Sequence, residues 1–497
     1  MKTITSSFDM ADYLHDESRK TGSADAVLLP ENEEEIIDIL RHSSGVPLTV
    51  QGARTGLTAG SVPFGGSVLS LTRMDRILRI EPDAEVPFAV VQPGVLLQTL
   101  RQALKPYHLM FAPDPTEPTA SLGGLVANNS SGARSYRYGA VRGHILGLTM
   151  LLRDGEKITL ERGREKTSGL DFSLRTEEGR EIAGTLPDIR MPAVKKHTAG
   201  YYIRPDMDLI DLMIGSEGTL GIVTSITVRL LPQPARTWGV LIFFDSEQKS
   251  LYFVKRMQEG APVEAIEFFG EDTLSLMKEN QNAGTMLTDS VPIPERAACA
   301  VYVEYASDSE ERLREELRRL ADIVSKCGGD PKMTWAALDA SVLERLKEFR
   351  HDAPVSVNER ISAVRQTHPG ITKLASDMSV PDDRLEEVFS MYREGLRREH
   401  LRSAIYGHIG SSHLHVNILS RDMDDYERGT RLISEWAEKI TAMGGSVSAE
   451  HGIGKMKTGL LQILYSEADL RAMFEIKKAF DPELLLNPGN IFPEGLK

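Results

Sequence analysis

Glycine is unevenly spread along this chain, and three runs of glycine and small residues in its first half set the strongest limit on what the chain can fold into. The first, Gly52-Ala-Arg-Thr-Gly-Leu-Thr-Ala-Gly60, directly follows the strand-like Pro-Leu-Thr-Val-Gln-Gly. The second is Ser121-Leu-Gly-Gly-Leu-Val-Ala-Asn-Asn-Ser-Ser-Gly132, preceded by Pro113-Asp114-Pro115, and the third is Gly215-Ser-Glu-Gly-Thr-Leu-Gly-Ile-Val223. Residues without a large side chain let a flat ligand or a second backbone come close, while Ser and Asn supply hydrogen bonds. In the first run, successive N–H groups can turn inward as an anion nest that suits a pyrophosphate, although an ordinary glycine-rich turn has the same composition. Three such runs in one half of the chain imply a single extended ligand clamped at several points. The spacing is not the G-x-G-x-x-G fingerprint, and no G-x-x-x-x-G-K-[ST] occurs, so neither the Rossmann nor the P-loop architecture is supported.

Length and charge narrow the rest. A chain of 497 residues is long enough for two or three domains of about 100 to 200 residues each. With 58 basic and 72 acidic residues the net charge is −14, which argues against nucleic acid and against a polybasic membrane surface. Cys299 and Cys327 are too few to ligate an iron–sulfur cluster or a four-cysteine zinc site, or to staple a secreted scaffold. No run approaches the roughly 18 to 20 apolar residues of a spanning helix, and the N-terminus lacks a signal-peptide core. The expectation is a cytoplasmic protein, free or peripheral at the membrane, with no transmembrane segment.

Periodicity divides the chain in two. Residues 29–41 read as a short surface helix, 47–52 as a strand, and Gly94 opens a helix through Leu104. From Ala112 to Gly147 almost no periodic pattern exists, as in functional loops, and 155–200 reads as a polar surface excursion. After the two prolines near Leu231–Arg236, strands alternate with single helices. Trp238–Asp245 leads into 246–260 and then 264–270; 297–306 leads into the amphipathic 307–329; a third round runs through 382–400. That rhythm predicts a sheet covered by helices on one face, with Asp and Ser as N-caps. Met and Phe in Phe-Phe-Gly and Met-Phe-Glu-Ile-Lys-Lys-Ala-Phe read as core.

Two short segments concentrate titratable groups. Tyr406-Gly-His408-Ile-Gly-Ser-Ser-His413-Leu-His415-Val-Asn417 and Ala449-Glu450-His451-Gly452-Ile-Gly454 hold four of the 12 histidines. On a strand His413 and His415 share a face and His408 points away, unless Gly410-Ser-Ser supplies a turn or bulge. Two imidazoles and a carboxylate suit zinc, manganese or iron with positions left open for substrate oxygens. The alternative is a group of active-site histidines with no metal.

Taken in order, the three glycine runs and Asn487-Pro-Gly-Asn-Ile-Phe resemble the FAD-binding flavoproteins of the vanillyl-alcohol oxidase and p-cresol methylhydroxylase superfamily. The similarity spans nearly the whole chain. It is nearest the branch of glycolate oxidase, D-lactate dehydrogenase and D-2-hydroxyglutarate dehydrogenase. The resemblance implies an α+β chain with a two-subdomain PCMH-type FAD-binding domain at 1–235 and an antiparallel-sheet cap domain, helices on one face, at 236–445. A C-terminal segment at 446–497 would return to the active site. FAD would lie on Gly52, Ala53, Arg54, Thr55, Gly56, Gly60 and Ser61, then on Pro113, Asp114, Ser121, Gly123, Gly124, Asn128, Ser130 and Gly132, and on Glu217, Gly221, Val223 and Asn487. Ala53 and Arg54 interrupt the family's richer glycine run. Gln51–Pro63 contains no histidine or cysteine, so noncovalent FAD is expected.

By the same resemblance the metal ligands fall on His408, His415 and Glu450, and the base on His451. The family's Gly-Asp-Gly-Asn turn is here Gly-Ser-Ser-His, which makes His413 an extra or substitute ligand. Arg350 and Lys373 stand where the family carries substrate-binding cations, with Arg360 and Arg365 as alternatives. The implied reaction is FAD-dependent oxidation of a D-2-hydroxy acid to the 2-oxo acid. The electrons would go to an external acceptor such as a quinone, an electron-transfer flavoprotein, an iron–sulfur subunit or dioxygen. Homodimerisation is left open. The rival implications are an alkyl-dihydroxyacetone-phosphate synthase-like flavoprotein, or a flavin subunit that only relays electrons.

Overall fold

In the computed structural model, which describes residues 1–283, 291–493 and 496, three sheets organise the chain. The first has four strands in the order Lys2–Ile4, Ala26–Leu29, Ser67–Ser70 and Leu48–Gln51, the last three parallel. The second is antiparallel, in the order Ile77–Glu81, Phe88–Val91, Ile222–Arg229, Ile145–Leu151 and Lys157–Glu161. Ile222–Arg229 alternates buried and half-buried residues along its whole length, the period-2 pattern of a strand with one face in the core. The chain is α+β, as the resemblance implied.

The third sheet has eight strands, with Thr334–Ala337, Arg236–Phe244, Cys299–Ser307, Ala265–Phe269, Ser403–Gly407 and His413–Ile418 in spatial order and the short Leu374–Ala375 and Met378–Ser379 both pairing with His413–Ile418 at the edge. Its central strands are buried on both sides. Val240, Ile242 and Phe244 pack in one core with Phe253, Val254 and Leu320 from the helices Glu247–Gln258 and Glu310–Lys326. These are the helices that the strand–helix rhythm marks. Leu241 and Phe243 pack in a second core with Leu274, Met277, Leu346 and Phe349 from Glu271–Ala283 and Ala340–Arg365, so two further helices lie on the opposite face. Ala340–Arg365 carries Pro354 inside it, which blurs its periodicity. Ser309 caps its helix by accepting from the Arg312 N–H, whereas Ser246 makes no side-chain cap bond. Phe268, Phe269, Met473, Phe474 and Phe480 are buried, as core residues should be.

Two stretches differ from their sequence reading. The aperiodic segment after Ala112 contains the helix Leu122–Ala127, too short to show a period, and Ser121 caps it by accepting from the Gly124 N–H. A Cβ on Gly123 would stand 2.7 Å from Pro93 Cβ, so that helix packs where only glycine fits. The excursion at 155–200 is a surface only at first. After the hairpin Asp171–Arg175 and Glu181–Thr185, which buries Phe172, Leu174 and Ile182 on one face and exposes the other, it turns inward, and Lys196, Thr198 and Ala199 are buried.

Residues near the C-terminus close back on the first sheet. Leu48 donates to the Leu485 carbonyl (2.8 Å), Val50 N–H donates to Asn487 Oδ1 (2.6 Å), and Asn487 Nδ2 donates to the Glu217 carbonyl (2.7 Å). Among the described residues no helix is long and apolar enough to cross a membrane.

Candidate active site

The glycine runs meet through backbone. The loop after Leu48–Gln51 reaches Ser121, whose hydroxyl accepts from the Ala53 N–H at 3.2 Å, and a Cβ on Gly52 would lie 2.1 Å from that hydroxyl. Between them and the third run lies a cavity of about 260 Å³. Gly52, Ala53, Arg54, Thr55, Gly56, Gly60 and Ser61 line it, together with Ser121, Gly123, Gly124, Asn128, Ser130, Glu217, Gly221, Val223 and Asn487. Bare backbone and small side chains on three sides fit an elongated, phosphate-bearing dinucleotide.

Three of the residues expected there do not reach it. Asp114 is drawn to Arg101 (2.5 Å), the Pro113 carbonyl faces the same guanidinium, and Gly132 packs so tightly on Asp114 that a Cβ would stand 1.9 Å from its carbonyl oxygen. Arg54, at φ +61°, lays its guanidinium over Tyr13, 4.8 Å from the ring centre. Glu217 and Asn487 brace the wall with their polar atoms. The Glu217 carboxylate accepts from Ile453 N–H (2.6 Å) and Gly454 N–H (2.8 Å), and burial raises its pKa to about 7.

A second cavity, of about 630 Å³, adjoins the first. Leu57, Thr58, Thr116, Glu450 and His451 line both. The floor of the second is the histidine cluster. Strands Ser403–Gly407 and His413–Ile418 pair with Tyr406 opposite His415, and a 3-10 turn at Ile409–Ser411, followed by Ser412 at φ +52°, returns His408 to the same side. The rings of His408, His413 and His415 lie 4.5 to 5.7 Å apart, and His451 stacks on His415 at 5.3 Å.

Glu450 divides its two oxygens. Oε1 is committed to the Ser131 hydroxyl (2.7 Å) and the Lys196 ammonium (2.5 Å). Oε2 faces the imidazoles, 3.2 Å from His408 Nε2, 3.6 Å from His415 Nε2 and 4.0 Å from His413 Nδ1. Although burial opposes it, the charges of His408 and Lys196 hold the Glu450 carboxyl well below its ordinary range. Burial likewise pulls His408 down, but Glu267, at 2.8 Å from Nδ1, and Glu450 raise it to about 9. His413 is fully buried; its Nε2 lies 3.0 Å from Asp377 Oδ1, and its Nδ1, turned toward Glu450, has no hydrogen-bond partner. Nitrogen and carboxylate atoms of His408, His413, His415 and Glu450 lie within 4.8 Å of one another. Converging imidazole nitrogens, one of them without a partner, beside an ionised carboxylate are the donor set a divalent cation takes.

Asp377 organises the other side. One carboxylate oxygen accepts from the His451 N–H (3.0 Å) and the Lys457 ammonium (2.7 Å), and lies 3.4 Å from His451 Nδ1. That leaves His451 Nε2 uncommitted. Burial lowers the His451 pKa to about 4, with Asp377 opposing, so the ring is neutral at pH 7.

Both expected substrate cations line the second cavity, in different states. Arg350 is 3.3 Å from Glu267, whereas Lys373 has no acidic side chain within 4.0 Å among the described residues, and burial alone lowers its pKa. Arg360 pairs with Glu279 instead (2.7 Å), and neither it nor Arg365 lines the cavity.

Ser131, Lys196, Glu267 and Asp377 complete the cluster; Ser131 lies in the second glycine run, and the other three carried no motif. Glu267 did leave a trace, as a lone acid within the apolar strand Ala265–Phe269; Lys196 left none, because its surroundings in sequence are polar.

Known proteins bear on this geometry. A model of the C-terminal domain of FAD linked oxidases matches residues 233–491, and a model of an FAD binding domain matches 24–161. D-lactate dehydrogenase of Anaerostipes hadrus is 29% identical over 97% of this chain and 92% of its own. Glycolate oxidase subunit GlcD of Bacillus subtilis (strain 168) is 29% identical over 94% of this chain and 89% of its own. Among solved structures, alkyldihydroxyacetonephosphate synthase has TM-score 0.63 over 98% of this chain and 82% of that one; at 13% identity the likeness is one of fold.

Proposed function

The chain belongs to the FAD linked oxidases, and on that premise we propose that it oxidises a D-2-hydroxy acid to the 2-oxo acid with noncovalently bound FAD. The observation that carries this reading is the junction of the two cavities at Glu450 and His451, which puts a glycine-lined cofactor groove against a cluster of ionised side chains. FAD in the first cavity would supply the two-electron acceptor. The glycine loop of the first cavity holds neither histidine nor cysteine, in keeping with noncovalent attachment, and Cys299 and Cys327 line neither cavity, in keeping with an external acceptor for the electrons.

The side chains divide the remaining work. Lys373 is the cation free to hold the substrate carboxylate, and Arg350, already facing Glu267, adds positive potential beside it. His451 takes the hydroxyl proton at Nε2 while Asp377 fixes the ring through Nδ1 and the backbone N–H. His408, His413, His415 and Glu450 would hold a divalent ion, whose contribution is to polarise the substrate's oxygens. Ser131 and Lys196 keep Glu450 turned so that a single oxygen faces the imidazoles.

The deciding experiment is anaerobic reduction of the purified, FAD-loaded protein by D-lactate, glycolate and D-2-hydroxyglutarate, followed at the flavin absorbance. Bleaching by at least one is expected. A flavin that stays oxidised with every 2-hydroxy acid sinks the proposal.

A further inference from the structure

We propose that the preferred substrate is a 2-hydroxy acid with a single carboxylate and an apolar side chain of four or more carbons, a reading that rests on the oxidation proposed above. Three observations carry it, and the first is charge. Among the described basic side chains lining the larger cavity, Lys457 is 2.7 Å from Asp377 and Arg350 is 3.3 Å from Glu267, which leaves Lys373 as the fixed cation with no described acidic partner. A second carboxylate on the substrate would have to compete with Glu267 or Asp377 for its cation, or enter without one.

The second observation is the wall away from the histidines. Helix Met423–Ala442 turns one face to the cavity, with Tyr426, Thr430 and Ile433 at helical spacing, and helix Thr458–Leu464 packs beside it with Leu460 and Ile463. The hydroxyls on that face, Ser434 included, are taken: Tyr426 pairs with Thr372 at 2.8 Å, Thr430 donates to the Tyr426 carbonyl at 2.8 Å and Ser434 to the Thr430 carbonyl at 3.3 Å. What these two helices offer a ligand beyond its carboxylate is therefore chiefly aliphatic surface. The third is size. At about 630 Å³ the cavity lies in the range of roughly 300 to 1,000 Å³ that takes a drug-sized molecule, several times what glycolate or lactate fills.

The test compares glycolate, D-lactate, D-2-hydroxyhexanoate and D-2-hydroxyglutarate as reductants of the FAD-loaded protein. A calorimetric arm measures binding of pyruvate, 2-oxohexanoate and 2-oxoglutarate to the same preparation. Each added methylene should improve both quantities roughly fourfold until the apolar wall is covered. D-2-hydroxyhexanoate should then surpass D-lactate by more than tenfold, with D-2-hydroxyglutarate below both. Ile463→Trp, which fills the apolar end, should lower the ratio of hexanoate to lactate efficiency at least tenfold. Equal or better use and binding of the short acids or of the dicarboxylate overturns the inference and leaves the oxidation standing. If no hydroxy acid reduces the flavin, the oxidation fails, and the binding arm still decides whether the cavity prefers a long monocarboxylate.

Discussion

Around the smaller cavity the chain presents backbone: Gly52 against Ser121, Gly123 against Pro93, and the third glycine run behind them. Around the larger one it presents ionised side chains drawn from distant segments, with Glu450 reached by Ser131, Lys196 and His408, and Asp377 by His451 and Lys457. The first arrangement tolerates little added volume and carries little charge. The second holds its charges in balance, so removing one partner strands another in a low-dielectric interior. A ligand grip built from backbone fails through sterics, and a reaction site built from buried ions fails through electrostatics.

Substitutions separate these two modes of failure. The largest effect is expected at His451, where replacement by alanine should slow substrate-driven flavin reduction by roughly 10² to 10⁴ with FAD still bound; stopped-flow absorbance reads the rate, and an unchanged rate removes His451 from the base role. Lys196→Met leaves the Glu450 carboxylate without its ammonium in a site where the lysine side chain is 1% exposed, so urea unfolding should register a loss of about 3 to 5 kcal/mol. A loss below 1 kcal/mol would break the electrostatic half of the comparison. Lys373→Met should raise the substrate KM by roughly ten- to a hundredfold, the worth of one charge-assisted hydrogen bond, without releasing FAD.

Gly454→Ala probes the steric half. Its φ is +53° and a Cβ would stand 2.1 Å from the Thr58 carbonyl oxygen, so it should cost about 1 to 3 kcal/mol in thermal unfolding and weaken FAD retention, measured by ultrafiltration. A fully loaded, equally stable variant would contradict the close-packing account. The smallest effect concerns pH. Because the folded His451 pKa is depressed to about 4, the basic form predominates throughout the neutral range, and kcat/KM should stay flat from pH 6 to 8 and fall only as pH approaches 4. An inflection near the ordinary histidine value would place the titrating base in a wetter setting than this.

The same contrast decides what was legible in the sequence. Backbone sites leave local signatures, since close approach demands glycine wherever it occurs, and the three runs by themselves pointed to one extended ligand. His408, His413, His415, Glu450 and His451 were also legible, lying in two short segments. Their supports were not: Lys196 and Asp377 are single residues without a pattern, and each acquires meaning only from a neighbour far away in the chain. The expectations for Pro113, Asp114 and Gly132 put them on the cofactor, whereas Arg101 draws Asp114 away and Gly132 follows it through a backbone contact. The second helical layer was hidden because Ala340–Arg365 contains a proline and mixes buried with polar positions.

The bonds from Leu48 to Leu485, from Val50 to Asn487 and from Asn487 to Glu217, with those from Ile453 and Gly454 to Glu217, carry a consequence for biosynthesis. The segment that contains all three glycine runs emerges from the ribosome long before the residues that wall in its ligand. Loading of the prosthetic group therefore belongs after translation has passed Asn487. A fragment ending before Glu450 would keep every glycine run and still leave the groove open along one side.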